Sequence, residues 1–101
     1  MAIGIVKMDP VVHCGGLGAA APDEYEAFSA SGANYYLTPG IPPGSRIVDV
    51  WYQPEHNVGA LSAFSLLAVN RKNDTQFVLT AQSYPGQANR LRLLICVLWE
   101  S

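Results

Sequence analysis

The run from Arg90 to Trp99, RLRLLICVLW, constrains this chain more than any other stretch. It holds no glycine or proline and is rich in Leu, Ile, Val and Trp, which reads as a β-strand. Side chains of a strand point alternately to its two faces. One face would carry Leu91, Leu93, Ile95, Val97 and Trp99, and the other Arg92, Leu94, Cys96 and Leu98. Beyond Arg92 both faces are apolar. A strand wetted on one side should alternate between apolar and polar. The second face therefore needs a cover, either the N-terminal part of the chain or another protein molecule. An uncovered apolar edge strand would invite aggregation, so the same logic applies to its backbone.

Three more strands precede it. Arg46 to Gln53 is dense in Val, Ile, Trp and Tyr and stops at Pro54. Here too the faces are mixed: Val48, Val50 and Tyr52 alternate with Ile47, Asp49 and Trp51. Leu61 to Val69 follows, and the polar break Asn70-Arg71-Lys72-Asn73-Asp74 suits a hairpin connection. Thr75 to Gln82 alternates cleanly, with Phe77, Leu79 and Ala81 on one side and Gln76, Thr80 and Gln82 on the other. Tyr84-Pro85-Gly86-Gln87 places Pro and Gly at the centre of a type II turn. Closely spaced strands with such turns predict an all-β domain, a single antiparallel β-sandwich or jelly-roll-like fold.

At 101 residues the chain has room for one domain and little material for a third layer. Residues 1–45 hold seven of the nine glycines and five of the seven prolines, which opposes long helices and regular ladders. The expected division is an N-terminal arm over 1–34 and a β-sandwich over 35–101. Within the arm, Ile3 to Met8 could form a short strand. Pro22 followed by Asp23, Glu24 and Glu26 resembles the first turn of a helix, with Tyr25 and Phe28 on one face.

Composition removes several function classes. Half the residues are hydrophobic and 14% are charged, so disorder is excluded for most of the chain. A net charge of −2 supplies no basic field for nucleic acid. No apolar run approaches the roughly 20 residues of a membrane helix. The N-terminus, interrupted by Lys7, Asp9 and Pro10, does not read as a secretory signal.

No catalytic or metal motif stands out, so the expectation is a non-enzyme without cofactors. His13 beside Cys14, and His56 beside Glu55, lack the spacing of a zinc site. A Cys14–His dyad is conceivable, but ordinary loop residues explain the pair. Gly15-Gly16-Leu17-Gly18 lacks the Lys-Ser/Thr ending of a phosphate loop. Cys14 reads as a loop thiol and Cys96 as a buried thiol acting as a small hydrophobe. Nothing in the sequence brings them together for a disulfide. Asn73-Asp74-Thr75 matches a glycosylation sequon but reads as a turn. Asp49 and Glu55 have no spacing that pairs them as acid and base.

Binding surfaces are the stronger expectation. Covering Leu94, Leu98 and Trp51 would contribute roughly 1.5–3 kcal/mol each. That is large beside a net stability of about 5–15 kcal/mol. Trp51, Leu94, Leu98 and Trp99 are therefore the candidate interface residues of a homo-oligomer. Tyr35, Tyr36 and Tyr84 fall near expected loops and could instead stack on a glycan.

The segments PGIPPGSRIVDVWYQP, FVLTAQS and NRLRLLICVLWES resemble small β-sandwich structural modules of tailed bacteriophages. These include head-decoration (cement) proteins and lectin-like tail modules. The resemblance spans about residues 35–101 and carries no positional motif, so it assigns no functional residue. It implies a dimer or trimer whose arms cross to neighbouring subunits and which binds a larger assembly such as a capsid shell. Such a protein would be assembled in the host cytoplasm and reside in the virion. The alternative is a carbohydrate-binding tail or fibre module.

Overall fold

The computed structural model describes residues 1–16, 23–55 and 58–101. Eight strands follow in order: β1 (Ile3–Met8), β2 (Val11–Cys14), β3 (Glu24–Glu26), β4 (Ala33–Leu37), β5 (Arg46–Pro54), β6 (Phe64–Arg71), β7 (Phe77–Ser83) and β8 (Asn89–Glu100). A short 3-10 helix, Val58–Ala63, precedes β6. They form two sheets, and the domain is an all-β sandwich-like fold. One sheet holds β1, β2, β3, β5 and β8; the other has the order β4-β7-β6.

The long apolar run is the middle of the first sheet. Along one edge β8 pairs antiparallel with β1, from Ile3 opposite Glu100 to Met8 opposite Ile95. The same edge continues onto β2, from Val11 opposite Arg92 to Cys14 opposite Asn89. Asp9 and Pro10 interrupt the ladder, and Leu93 donates its N–H to the Pro10 carbonyl across the break. The other edge pairs antiparallel with β5, from Arg46 opposite Glu100 to Pro54 opposite Leu93. A bulge at Val48 shifts the register between Ile47 and Asp49.

The core lies between the sheets. Leu91, Leu93, Ile95 and Val97 of β8 face Phe77, Leu79 and Ala81 of β7, with Ile47 and Val50 of β5 among the buried residues around them. The alternation of β7 read from the sequence is present: Phe77, Leu79 and Ala81 are buried and Val78, Thr80 and Gln82 half-buried. Asn73 Oδ1 accepts the N–H groups of Thr75 and Gln76 in the β6–β7 turn. The sequon-like tripeptide thus forms a turn, as expected. At the other end Gly86 has φ 79°, as the third position of a type II turn requires.

Three expectations need correction. The described part of segment 1–34 is not an extended arm: β1, β2 and β3 belong to the main sheet, and all four residues of β2 are buried. The physical reason is the long edge of β8, whose N–H and C=O groups need a ladder that Ile3–Met8 and Val11–Cys14 supply. Second, Glu24–Glu26 is no helical turn but a strand running parallel to β2. Third, β6 begins at Phe64, because Leu61 to Ala63 lie in the 3-10 helix.

Candidate interface on the outer face of the sheet

The registers fix which side chains share the face turned away from the core. Cys96 lies on β8 between Lys7 of β1 and Trp51 of β5. The row above holds Ile5, Leu98 and Asp49, and Leu94 stands beside Gln53 in the row below. Leu98 and Leu94 are half-buried by their neighbours, and Cys96 retains 8% exposure. The flanking residues are open: Ile3 is 66%, Ile5 52% and Trp51 41% exposed. No described strand or loop forms a third layer over this strip. Residues 3–8 and 11–14 pair with the edge of β8 instead of covering its face.

Charges close both ends of the strip. Above it, Arg46 pairs with Glu100 directly across the ladder. The hydrogen bond that Arg46 donates to Glu100, and the charge of that carboxylate, hold the Arg46 guanidinium above its usual pKa. Below it, Arg92 donates to the Asp9 carbonyl at 2.7 Å and lies 3.7 Å and 3.8 Å from the Asp9 and Asp23 carboxylates. An apolar centre with a charged rim is the anatomy of a protein interface.

Of the four expected interface residues, Trp51, Leu94 and Leu98 meet on this face. Trp99 does not join them. It has the parity of Val97, and its indole lies over Gly4, where a Cβ would come within 2.5 Å of the ring. Gly4 has no side chain because the indole occupies that space. The residues missed were Ile3, Ile5 and Lys7. Their spacing of two, Ile3-Ile5-Lys7, is the sequence signal that places them on one face of the short strand expected over Ile3 to Met8.

The three tyrosines do not form one site. Tyr35 turns inward, packs against Tyr25 at 5.1 Å between ring centroids, and donates its hydroxyl to the Glu26 carbonyl. Burial raises its pKa; the Glu26 carbonyl bond opposes that shift and the Glu26 charge adds to it. Tyr36 is exposed, with the Lys72 ammonium 4.5 Å from its ring centroid. It pairs with Val78, so Tyr84 is six residues further along the sheet, roughly 20 Å away at strand rise.

The cysteines and histidines are also placed. Cys14 and Cys96 are free thiols on opposite faces of the sheet, seven residues apart in β8 register, so no disulfide joins them. Cys14, expected in a loop, is buried in β2. His13 and Cys14 are adjacent on that strand and point to opposite faces, which separates the conceivable dyad. His13 is fully buried, and neither ring nitrogen has a hydrogen-bond partner among the described residues. His56 lies outside the described residues, as do Leu17 and Gly18 of the glycine-rich stretch and Pro22. Among the described residues no cluster of His, Cys, Asp and Glu could hold a metal ion. No helix among them is long and apolar enough to cross a membrane. No protein-family model, curated protein or solved structure matches the chain.

Proposed function

We propose that this is a non-enzymatic structural protein that associates with copies of itself through the outer face of β1, β8 and β5. The single observation that supports this is the apolar strip Ile5-Leu98-Cys96-Trp51-Leu94, left without a covering layer by the described residues and bounded by ion pairs. A second copy is the occupant proposed, because each charged end carries both signs and so offers a partner for either sign on its own kind. Large apolar patches are uncommon on monomers and mark interaction sites.

The wider setting proposed is a larger assembly, a capsid shell that the protein decorates and cements. The likeness of residues 35–101 to tailed-phage modules supports that part of the reading. Attachment by an N-terminal arm is dropped from the proposal, since β1 and β2 are engaged in their own sheet.

Sedimentation equilibrium tests the self-association. The wild type should run as a dimer or trimer at micromolar concentration. Leu94→Asp and Leu98→Asp should each run as folded monomers, because a carboxylate in the centre of the contact would be buried without a partner. A wild type that stays monomeric up to millimolar concentration refutes the proposal.

A further inference from the structure

A second surface feature lies at the end where the two sheets meet, away from the apolar strip. Phe28 bridges to Gln82, and Ser83 donates its N–H to the Phe28 carbonyl. Three chain segments, 15–16, 26–29 and 83–88, converge there around an open trough of about 350 Å³. That volume lies at the small end of ligand sites, roughly 300–1,000 Å³.

The lining has a definite chemistry. Phe28 is 49% and Tyr84 51% exposed, so neither ring is consumed by the core. Between and beside them stand Glu26, Ser29, Ser83 and Gln87. Ala27, 2% exposed, belongs to the buried core beneath. Two glycines hold the rim open. Gly16 and Gly86 have φ of 74° and 79°, and a Cβ on either would meet nothing within 4 Å. A larger residue there would be strained, and its side chain would occupy the space beside the trough.

We infer that this trough binds a short neutral saccharide, with the ring stacked on Phe28 or Tyr84 and its hydroxyls bonded to the polar lining. A sugar presents one apolar C–H face and an edge of hydroxyls. The lining offers both halves of that match: two open aromatic faces, and hydroxyl, amide and carboxylate residues that accept and donate. The Glu26 carboxylate disfavours an anionic ligand. Among the described residues none that lines the trough is basic. A purely apolar ligand would leave Ser29, Ser83 and Gln87 unanswered. The site uses Tyr84 but neither Tyr35 nor Tyr36, and it is independent of the self-association proposed above.

Amide NMR with maltotriose, cellotriose and chitotriose as probes, each at 10 mM (roughly the concentration needed to populate a weak site), tests the inference. At least one should shift the N–H signals of Gly15, Gly16, Ser29, Gly86 and Gln87. At least one of Phe28→Ala and Tyr84→Ala, the one that removes the stacking ring, should weaken that response about tenfold or more. Tyr36→Ala, on the other sheet's surface, should leave it unchanged, as should Leu98→Asp. Silence with all three sugars overturns the inference. So does a response that survives both alanine variants, or a stronger response to sialyllactose or choline chloride.

Discussion

Val97 and Leu98 are neighbours in sequence and opposites in the sandwich, so one substitution made at each in turn measures the facing of β8. Val97 is fully buried between Val6 and Val50. Placing asparagine there forfeits about 1.5–3 kcal/mol of apolar burial. It also leaves an amide without a partner, about 1–3 kcal/mol more. The sum, roughly 3–6 kcal/mol, is a large share of a typical net stability of about 5–15 kcal/mol. Leu98 is half-buried beside Ile5 and Asp49, and an amide there reaches water. Leu98→Asn should therefore cost an isolated monomer only about 1 kcal/mol. Urea unfolding, followed by far-UV circular dichroism at protein concentrations low enough to hold every variant monomeric, reads both numbers. Equal m-values would show that the two variants expose the same surface on unfolding. Equal losses at the two positions, or a larger loss at Leu98, would refute the facing of β8 and with it the candidate interface.

Gly4→Ala should displace the Trp99 indole and destabilise the domain by about 1–3 kcal/mol, as overpacking does. Its emission should shift to longer wavelength in a Trp51→Phe background, which removes the exposed indole. His13→Leu should stabilise by about 1–3 kcal/mol, since it removes a buried imidazole with no hydrogen-bond partner among the described residues; urea midpoints read the gain. The Tyr25 hydroxyl, raised in pKa by burial and then by Asp23, and the Tyr35 hydroxyl, raised chiefly by burial, predict an alkaline limit to stability. Both folded values lie above the unfolded value near 10, so the stabilisation is complete below that pH and is lost as pH rises through the raised values. Denaturation midpoints should therefore fall above about pH 10, and less steeply in Tyr25→Phe.

Much of the sandwich was legible because its strands obey local rules. Phe77, Leu79 and Ala81 announce a half-covered strand by period, and Pro85-Gly86 announces its turn by backbone geometry. Arg90 to Trp99 announced something rarer, a strand apolar on both sides, and the outer strip is what that double pattern becomes in space. The first third was less legible. Its glycines and prolines are real obstacles to regular structure, yet Ile3–Met8 and Val11–Cys14 are strands because a partner some ninety residues away offers them a ladder. Glu24–Glu26 shows the same limit. Its acidic residues suit a helix start locally, and only the neighbouring β2 decides otherwise. The Phe28–Tyr84 trough was beyond reach for that reason too: its two rings are brought together by a single bridge between sheets.

The placing of β8 has a consequence for how the protein is made. The strand that joins β1, β2 and β5 into one sheet is the last of the eight to leave the ribosome. Until it emerges, β1 and β5 lack the strand they pair with, and β2 has only the short β3. Pairings between distant parts of a chain make folding slow. The first sheet can therefore be completed only after its final strand has been made.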